Sequence, residues 1–221
     1  MLLRSCTLLT PPLILHRTNA MNLTAVVAAK PVSRSHSLLR KAGLALSASL
    51  LVAAAAHVAL PLFFTPVPMT LAPMAVLAVG LLLGPAVAFS ALALYLLEGM
   101  AGLPVLCPTG AAGAMAMFGP TGGYLIAYPF VAALAGWGYA RLRGRSFVSN
   151  FAAAAISAGV ADLLLLASGS AWLMGLLHLS PLHALALGAA PFLPGEAVKV
   201  ALVAAGMAGV SRLRKQDSTL N

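Results

Sequence analysis

Acidic side chains are scarce in this chain, which has four Asp and Glu residues against 13 Lys and Arg among 221 residues. Charged residues make up only 8% of the sequence, whereas soluble domains contain about 25%. Hydrophobic residues make up 61%, and the mean hydropathy is +0.99. This composition excludes a soluble domain and indicates an integral membrane protein. The length suits one compact helical bundle rather than two domains.

Residues that suit metal binding, disulfide formation or catalysis are equally few. The two cysteines, Cys6 and Cys107, are far apart and form no CxxC pair or ligand spacing, so we predict neither a disulfide nor a metal site. No nucleophile–base set is visible, and we predict neither an enzyme nor a bound cofactor. No Gly-rich loop continues into Gly-Lys-Ser/Thr, so ATP hydrolysis has to come from another protein.

The apolar segments predict an all-α integral membrane protein with six transmembrane helices in one bundle. The segments are residues 42–60, 71–83, 86–100, 125–140, 151–177 and 191–210. We expect a multi-pass protein surrounded by membrane lipid. A membrane domain at 37–211 then lies between a poorly ordered extension at 1–36 and a cytoplasmic tail at 212–221. Prolines interrupt the apolar run in the extension, so a cleaved signal peptide is not expected.

The basic residues indicate which side of the membrane each connection occupies. They flank alternate connections, as Arg34, Arg40, Lys41, Arg141, Arg143, Arg145, Arg212, Arg214 and Lys215. The other connections, 61–70, 101–120 and 178–190, contain no Lys or Arg. The positive-inside rule therefore predicts that both termini are cytoplasmic. It also accounts for the net charge of +9 without nucleic-acid binding, because the basic residues lie beside apolar runs.

Small residues recur four apart in the first segment, at Ala45, Ser49 and Ala53. This spacing lets another helix approach closely in lipid. The neighbour can belong to the same bundle, or the stripe can dock a partner subunit. The sequence leaves both interpretations open.

Two short segments and a glycine-rich connection predict where a ligand binds. Residues 71–83 and 86–100 would span only about 20–23 Å as helices at 1.5 Å per residue, and paired short segments point to a transporter binding site. The connection at 102–123 is rich in glycine, which lets backbone approach a ligand closely.

Glu196 and Lys199 interrupt the last apolar segment, and they share a helix face because they are three residues apart. Each charge costs about 2.5–3.5 kcal/mol on membrane-insertion scales. The two can pair and fix the helix, or they can line a wet pocket that holds a polar ligand. Asp162 lies near the centre of the fifth segment. We expect it to form an inter-helix hydrogen bond or to be protonated, rather than to contact a ligand.

Five motifs in order resemble the BioY family, the biotin-binding S components of energy-coupling factor (ECF) transporters. They are TPVPMT at 65–70, LLLGP at 81–85, YLLEG at 95–99 with AGLPV at 101–105, GPTGGYL at 119–125 and FLPGEAVK at 192–199. The resemblance covers about residues 42–210. It implies a six-helix protein that captures biotin at the outer face. Its expected partners are a transmembrane coupling subunit and ATP-hydrolysing subunits.

The resemblance maps the family's acid-and-lysine pair onto Glu196 and Lys199. The acid is more usually Asp, so Glu196 is a departure that lengthens the reach by one methylene. A second departure is CPT at 107–109, where relatives often carry Asn or a further Gly. The remaining alternatives are an S component for another small vitamin, a stand-alone biotin carrier, and a membrane enzyme or ion-coupled carrier using Asp162 and Glu98.

The chemistry of biotin suits this pair. A carboxylate accepts from the ureido N–H groups while an ammonium donates to the ureido C=O, and both hydrogen bonds are charge-assisted. The apolar part of biotin is expected on Met115, Met117 and Phe118. Its valeryl carboxylate is expected either on backbone N–H groups at a helix start or on Lys199. The predicted substrate contacts are Glu196, Lys199, Thr109, Gly110, Thr121, Gly122, Gly123 and Tyr124.

Overall fold

The computed structural model describes residues 34–106, 108 and 113–220. Seven α-helices lie in this part of the chain: α1 (Arg34–His57), α2 (Ala72–Leu83), α3 (Pro85–Met100), α4 (Gly122–Leu142), α5 (Phe147–Leu176), α6 (Pro181–Gly188) and α7 (Leu193–Leu220). The strands β1 (Ala59–Leu60) and β2 (Met69–Thr70) pair antiparallel, and a 3-10 helix covers Gly113–Met117. Leu38–Asn221 form one compact unit.

Each of the six predicted apolar segments overlaps a helix, although α1 begins at Arg34 rather than residue 42 and α7 extends to Leu220 rather than residue 210. The expectation of a helical membrane protein is confirmed. By length and composition, Leu38–His57, Phe147–Leu176 and Leu193–Leu213 can cross a membrane, and α2 and α3 are shorter apolar helices. Two elements were not predicted: α6, within the supposed loop at 178–190, and the β1–β2 pair. The Ser180 hydroxyl caps α6 by accepting from the His183 N–H.

The helix α4 packs against α2, α3 and α5, and α5 packs in turn against α6 and α7. Glycines allow the closest of these approaches. A Cβ added at Gly136 of α4 would lie 2.5 Å from the Gly80 carbonyl oxygen of α2. Close backbone contact of this kind drives helix association where no hydrophobic effect operates between helices.

The turn between α2 and α3 depends on Gly84, whose φ of +77° lies in the left-handed region that side chains disfavour. Pro85 follows as the first residue of α3, a position that tolerates a missing N–H. The Gly-Pro pair thus ends one short helix and starts the next with no intervening loop.

The small-residue stripe of α1 faces the interior of the chain. Ala45, Ser49 and Ala53 are all buried, with Ser49 fully inaccessible. The Ser49 hydroxyl donates a hydrogen bond to the carboxylate of Glu98 on α3. Burial favours packing within the bundle, the first of the two interpretations of this stripe, and leaves larger residues such as Leu50 on the exposed side of α1.

Candidate functional site

A partly open cavity lies among the helices, and its volume is about 760 Å³ when the open solvent at its mouth is included. The apolar part of its wall comes from Ala56, Val67, Pro68, Ala72, Pro73, Leu106, Ala116, Leu125, Leu165, Leu166 and Phe192. Every helix except α6 contributes to the wall or to the polar groups set in it.

Six residues bring polar atoms to this apolar wall: Thr70, Thr121, Glu196 and the tyrosines Tyr95, Tyr124 and Tyr128. A mainly apolar and aromatic lining with a few polar groups is the usual composition of a ligand site, since the apolar area supplies affinity and the polar groups fix orientation. The cavity therefore suits a small molecule with an apolar body and few polar atoms.

Glu196 and Lys199 form an ion pair in the first turns of α7. The Lys199 ammonium lies 2.7 Å from Glu196 Oε1 and also donates to the Thr70 carbonyl at 2.7 Å. Both residues are buried, with exposed fractions of 4% and 6%. Lys199 thus joins α7 to the end of β2. Glu196 is among the residues that line the cavity and Lys199 is not. The pair therefore fixes the helix and brings one charged group to the cavity wall.

The Glu196 carboxylate keeps hydrogen-bonding capacity beyond its ion pair. Its Oε2 atom is buried and has no hydrogen-bond partner among the described residues. An ionised carboxylate offers about four acceptor sites, so this group can accept N–H donors from a ligand. Asp162 of α5 is also buried, and its Oδ1 atom has no hydrogen-bond partner among the described residues. No group of three or more His, Cys, Asp and Glu in the described ranges could hold a metal ion.

The predicted contacts near the start of α4 divide into two kinds. Thr121 and Tyr124 line the cavity, but Gly122 and Gly123 are absent from its wall. A Cβ at Gly122 would collide with the Met117 carbonyl, and one at Gly123 would collide with Trp172. These two glycines therefore allow tight packing, and the cavity geometry gives no support to them as substrate contacts. Thr109 and Gly110 lie outside the described residues.

Three backbone N–H groups at the start of α4 already have hydrogen-bond partners. The N–H of Gly122 donates to the Gly119 carbonyl at 3.0 Å. The N–H groups of Tyr124 and Leu125 both donate to the Thr121 carbonyl at 3.1 Å. A ligand carboxylate at this helix start would compete with these hydrogen bonds.

The apolar wall differs from the one expected from the sequence. Met115 and Phe118 are each 66% exposed, and Met117 is buried outside the cavity wall. Leu165, Leu166 and Phe192 take their place. The leucines follow Asp162 by three and four residues, so they share its helix face. Thr70, Tyr95 and Phe192, not predicted as contacts, all belong to the motifs that carried the resemblance.

Tyr124→Phe should weaken the anchoring of α6. The Tyr124 hydroxyl donates to the carbonyl of Gly188, the last residue of α6, at 2.5 Å. Removing it leaves a buried carbonyl without that donor, which costs about 1–3 kcal/mol of unfolding free energy. Thermal unfolding in detergent measures the loss. Tyr139→Phe is the control, because its hydroxyl donates only over 3.4 Å to Asn150. Equal midpoints for both variants would contradict the anchoring role.

Comparison with known proteins gives one family. The profile of the BioY family matches residues 22–216. The chain is 36% identical over 140 residues to the biotin transporter BioY2 of Lactococcus lactis subsp. cremoris, covering 62% of this chain and 72% of that one. It is 32% identical over 157 residues to the biotin transporter BioY of the same organism, covering 71% and 80%.

A solved structure is also similar. It is the crystal structure of the S-component for biotin from an ECF-type ABC transporter, with a TM-score of 0.70 and 26% identity. The match covers 81% of this chain and 93% of that chain. The fold described above is therefore shared over nearly the whole of the matched protein.

Proposed function

The chain belongs to the BioY family, and we propose that it is the substrate-binding subunit through which biotin crosses the membrane. Biotin is then the transported ligand, not a cofactor, and the protein is a transporter subunit rather than an enzyme. The observation that carries this proposal is the ion-paired Glu196 carboxylate in the wall of an otherwise mainly apolar cavity.

The chemistry of that carboxylate fits one end of biotin. The ureido ring has two N–H donors and one C=O acceptor, while the rest of the molecule is an apolar ring and a valeryl chain. Glu196 accepts from the N–H groups by charge-assisted hydrogen bonds. Lys199 is paired with Glu196, and its ammonium has a third N–H beyond the two bonds to Glu196 and Thr70. The apolar wall accommodates the remainder of the ligand.

We propose that six helices cross the bacterial cytoplasmic membrane, with both termini in the cytoplasm. The distribution of Lys and Arg supports this orientation, since the connections at 61–70, 101–120 and 178–190 contain none. The 61–70 connection contributes Val67, Pro68 and Thr70 to the cavity wall. The cavity then opens toward the outer face, where biotin is captured.

Energy for transport comes from partners in this proposal. The chain has no Gly-rich loop ending in Gly-Lys-Ser/Thr, so it cannot hydrolyse ATP by that route. The coupling subunit and the ATP-hydrolysing subunits of an ECF transporter are the expected partners. Docking through Ala45, Ser49 and Ala53 would require α1 to move, because these residues are buried.

A titration of the detergent-purified protein with biotin tests the function. We expect saturable binding of one biotin per chain. Lipoate is the matched control ligand, because it keeps a sulfur-containing ring and a valeryl carboxylate but has no ureido group. Lipoate should show no saturation over the same range. Absence of biotin binding, or tighter binding of another vitamin in a competition screen, would contradict the proposal.

A further inference from the structure

An open groove lies on the lateral surface of the bundle, between α4 and α5. Its wall includes Ile126, Phe130 and Leu134 of α4 and Leu164 and Ser168 of α5. The volume is about 570 Å³ when the open space at its mouth is included. No residue of this wall also lines the biotin cavity. The groove is therefore a separate feature, and its exposed apolar side chains face the surrounding medium, which for a membrane protein is lipid.

The groove and a cationic group lie on one face of α4. Along the sequence, Ile126, Phe130 and Leu134 of the groove wall are followed by Trp137 and Arg141. The spacings of four, four, three and four residues keep all five on the same face of a helix. The Arg141 guanidinium lies 5.0 Å from the centroid of the Trp137 ring, so a cation–π contact holds this charge against the same face.

Two more arginines, Arg143 and Arg145, lie in the connection between α4 and α5, and both are exposed. Among the residues whose side chains the structure describes, no Asp or Glu forms an ion pair with them or with Arg141. Phe147 and Val148, which follow at once, are exposed as well. Because apolar side chains gain by leaving water, this connection is suited to lie against the bilayer surface.

We propose that this face of α4 and α5 binds an anionic phospholipid, with its phosphate on the three arginines and an acyl chain in the groove. A guanidinium donates paired hydrogen bonds to phosphate oxygens. Three arginines without an acidic partner favour an anionic head group over a zwitterionic one. The groove wall named above has no charged group, so it suits a hydrocarbon chain.

The distance between the two parts of the site fits one lipid molecule. At 1.5 Å per residue, Leu134 lies about 10 Å from Arg141 along the axis of α4. One leaflet of the hydrocarbon core is about 15 Å thick, half of the whole. An acyl chain that descends from a phosphate at Arg141 therefore reaches the groove within its own leaflet.

Photolabelling of the full-length protein in detergent tests both parts of the site. Phosphatidylglycerol with a diazirine on one acyl chain is the anionic probe, and phosphatidylcholine with the same chain is the zwitterionic probe. Each arginine near an anionic head group contributes about a fivefold change in binding. We therefore expect the anionic probe to label the groove residues at least about tenfold more than the zwitterionic probe. Equal labelling would indicate ordinary lipid contact and would overturn the inference.

Substitution of the arginines tests the head-group contact. Arg143→Gln combined with Arg145→Gln should reduce labelling of the groove by the anionic probe at least about tenfold. Arg40→Gln combined with Lys41→Gln is the matched control, because it removes two exposed positive charges from α1, and it should keep the preference. Unchanged labelling in the Arg143 and Arg145 variant, or equal losses in both variants, would contradict a site at this connection.

A matched pair on α5 tests the chain contact. Leu164→Trp places a large side chain in the groove and should reduce labelling there. Leu163→Trp changes the neighbouring residue, which is also exposed but absent from the groove wall, and it should label like wild type. Equal labelling of the groove in the two variants would contradict the chain position.

Competition distinguishes a lipid from a soluble phosphate compound. An excess of unlabelled phosphatidylglycerol should displace the probe from the groove. Glycerol phosphate at the same concentration should not, because it has no acyl chain. Equal displacement by both would show that the arginines bind a free phosphate and would refute the lipid site. None of these measurements requires biotin.

Discussion

Lys199→Met should lower the affinity for biotin by about two to three orders of magnitude. The substitution leaves the buried Glu196 carboxylate without its ammonium, and each hydrogen bond between the ligand and a charged acceptor that is lost is worth about 1.5–3 kcal/mol. Each 1.4 kcal/mol corresponds to about a factor of ten in a dissociation constant. Glu196 without Lys199 takes up a proton, and one of its oxygens then becomes a donor that cannot accept a ureido N–H. Titration with biotin measures the loss.

A double variant separates the role of the pair in folding from its role in binding. Glu196→Gln combined with Lys199→Met removes both charges, so thermal stability should recover relative to Lys199→Met alone. Biotin affinity should not recover, because the carboxylate acceptor is gone. Glu98→Gln is the matched control for removing an acid away from the cavity, and it should bind biotin like wild type. Wild-type affinity in Lys199→Met would refute the site.

The sequence predicted the charged pair but not the different positions of its two members. A spacing of three residues on a helix is enough to predict that Glu196 and Lys199 share a face. The hydrogen bond from Lys199 to the Thr70 carbonyl joins residues 129 positions apart. No local pattern predicts such a contact, so the sequence could not show that Lys199 binds the Thr70 carbonyl and is absent from the cavity wall.

Hydropathy predicted the long helices well because each buries an apolar stretch longer than a turn. It missed α6, which has eight residues, and the two-residue strands, because elements this short produce little periodicity. The prediction that Gly122 and Gly123 contact the ligand came instead from their place at a helix start. Because glycine has no Cβ, it allows both close approach of a ligand and close packing of a neighbouring segment. Only the positions of Met117 and Trp172 distinguish these two roles.

Gly136→Ala should destabilise the fold by forcing α4 away from α2. The new Cβ would lie 2.5 Å from the Gly80 carbonyl oxygen and 3.0 Å from the Pro85 nitrogen. Both are backbone atoms, so α2 and α4 have to separate. Overpacking of this kind costs roughly 1–3 kcal/mol, or a drop of roughly 2–12 °C in thermal midpoint for a chain of this size. Thermal unfolding in detergent measures the drop.

Separation of α2 from α4 should also change the shape of the cavity. Both helices line it, α2 with Ala72 and Pro73 and α4 with Tyr124 and Tyr128. Biotin affinity should therefore fall together with the midpoint. Gly159→Ala on α5 is the matched control, since its Cβ would meet nothing within 4 Å. Ala favours helix over Gly by about 0.8–1.0 kcal/mol, so this control should be at least as stable as wild type. A wild-type midpoint in Gly136→Ala would show that the two helices are not in close backbone contact.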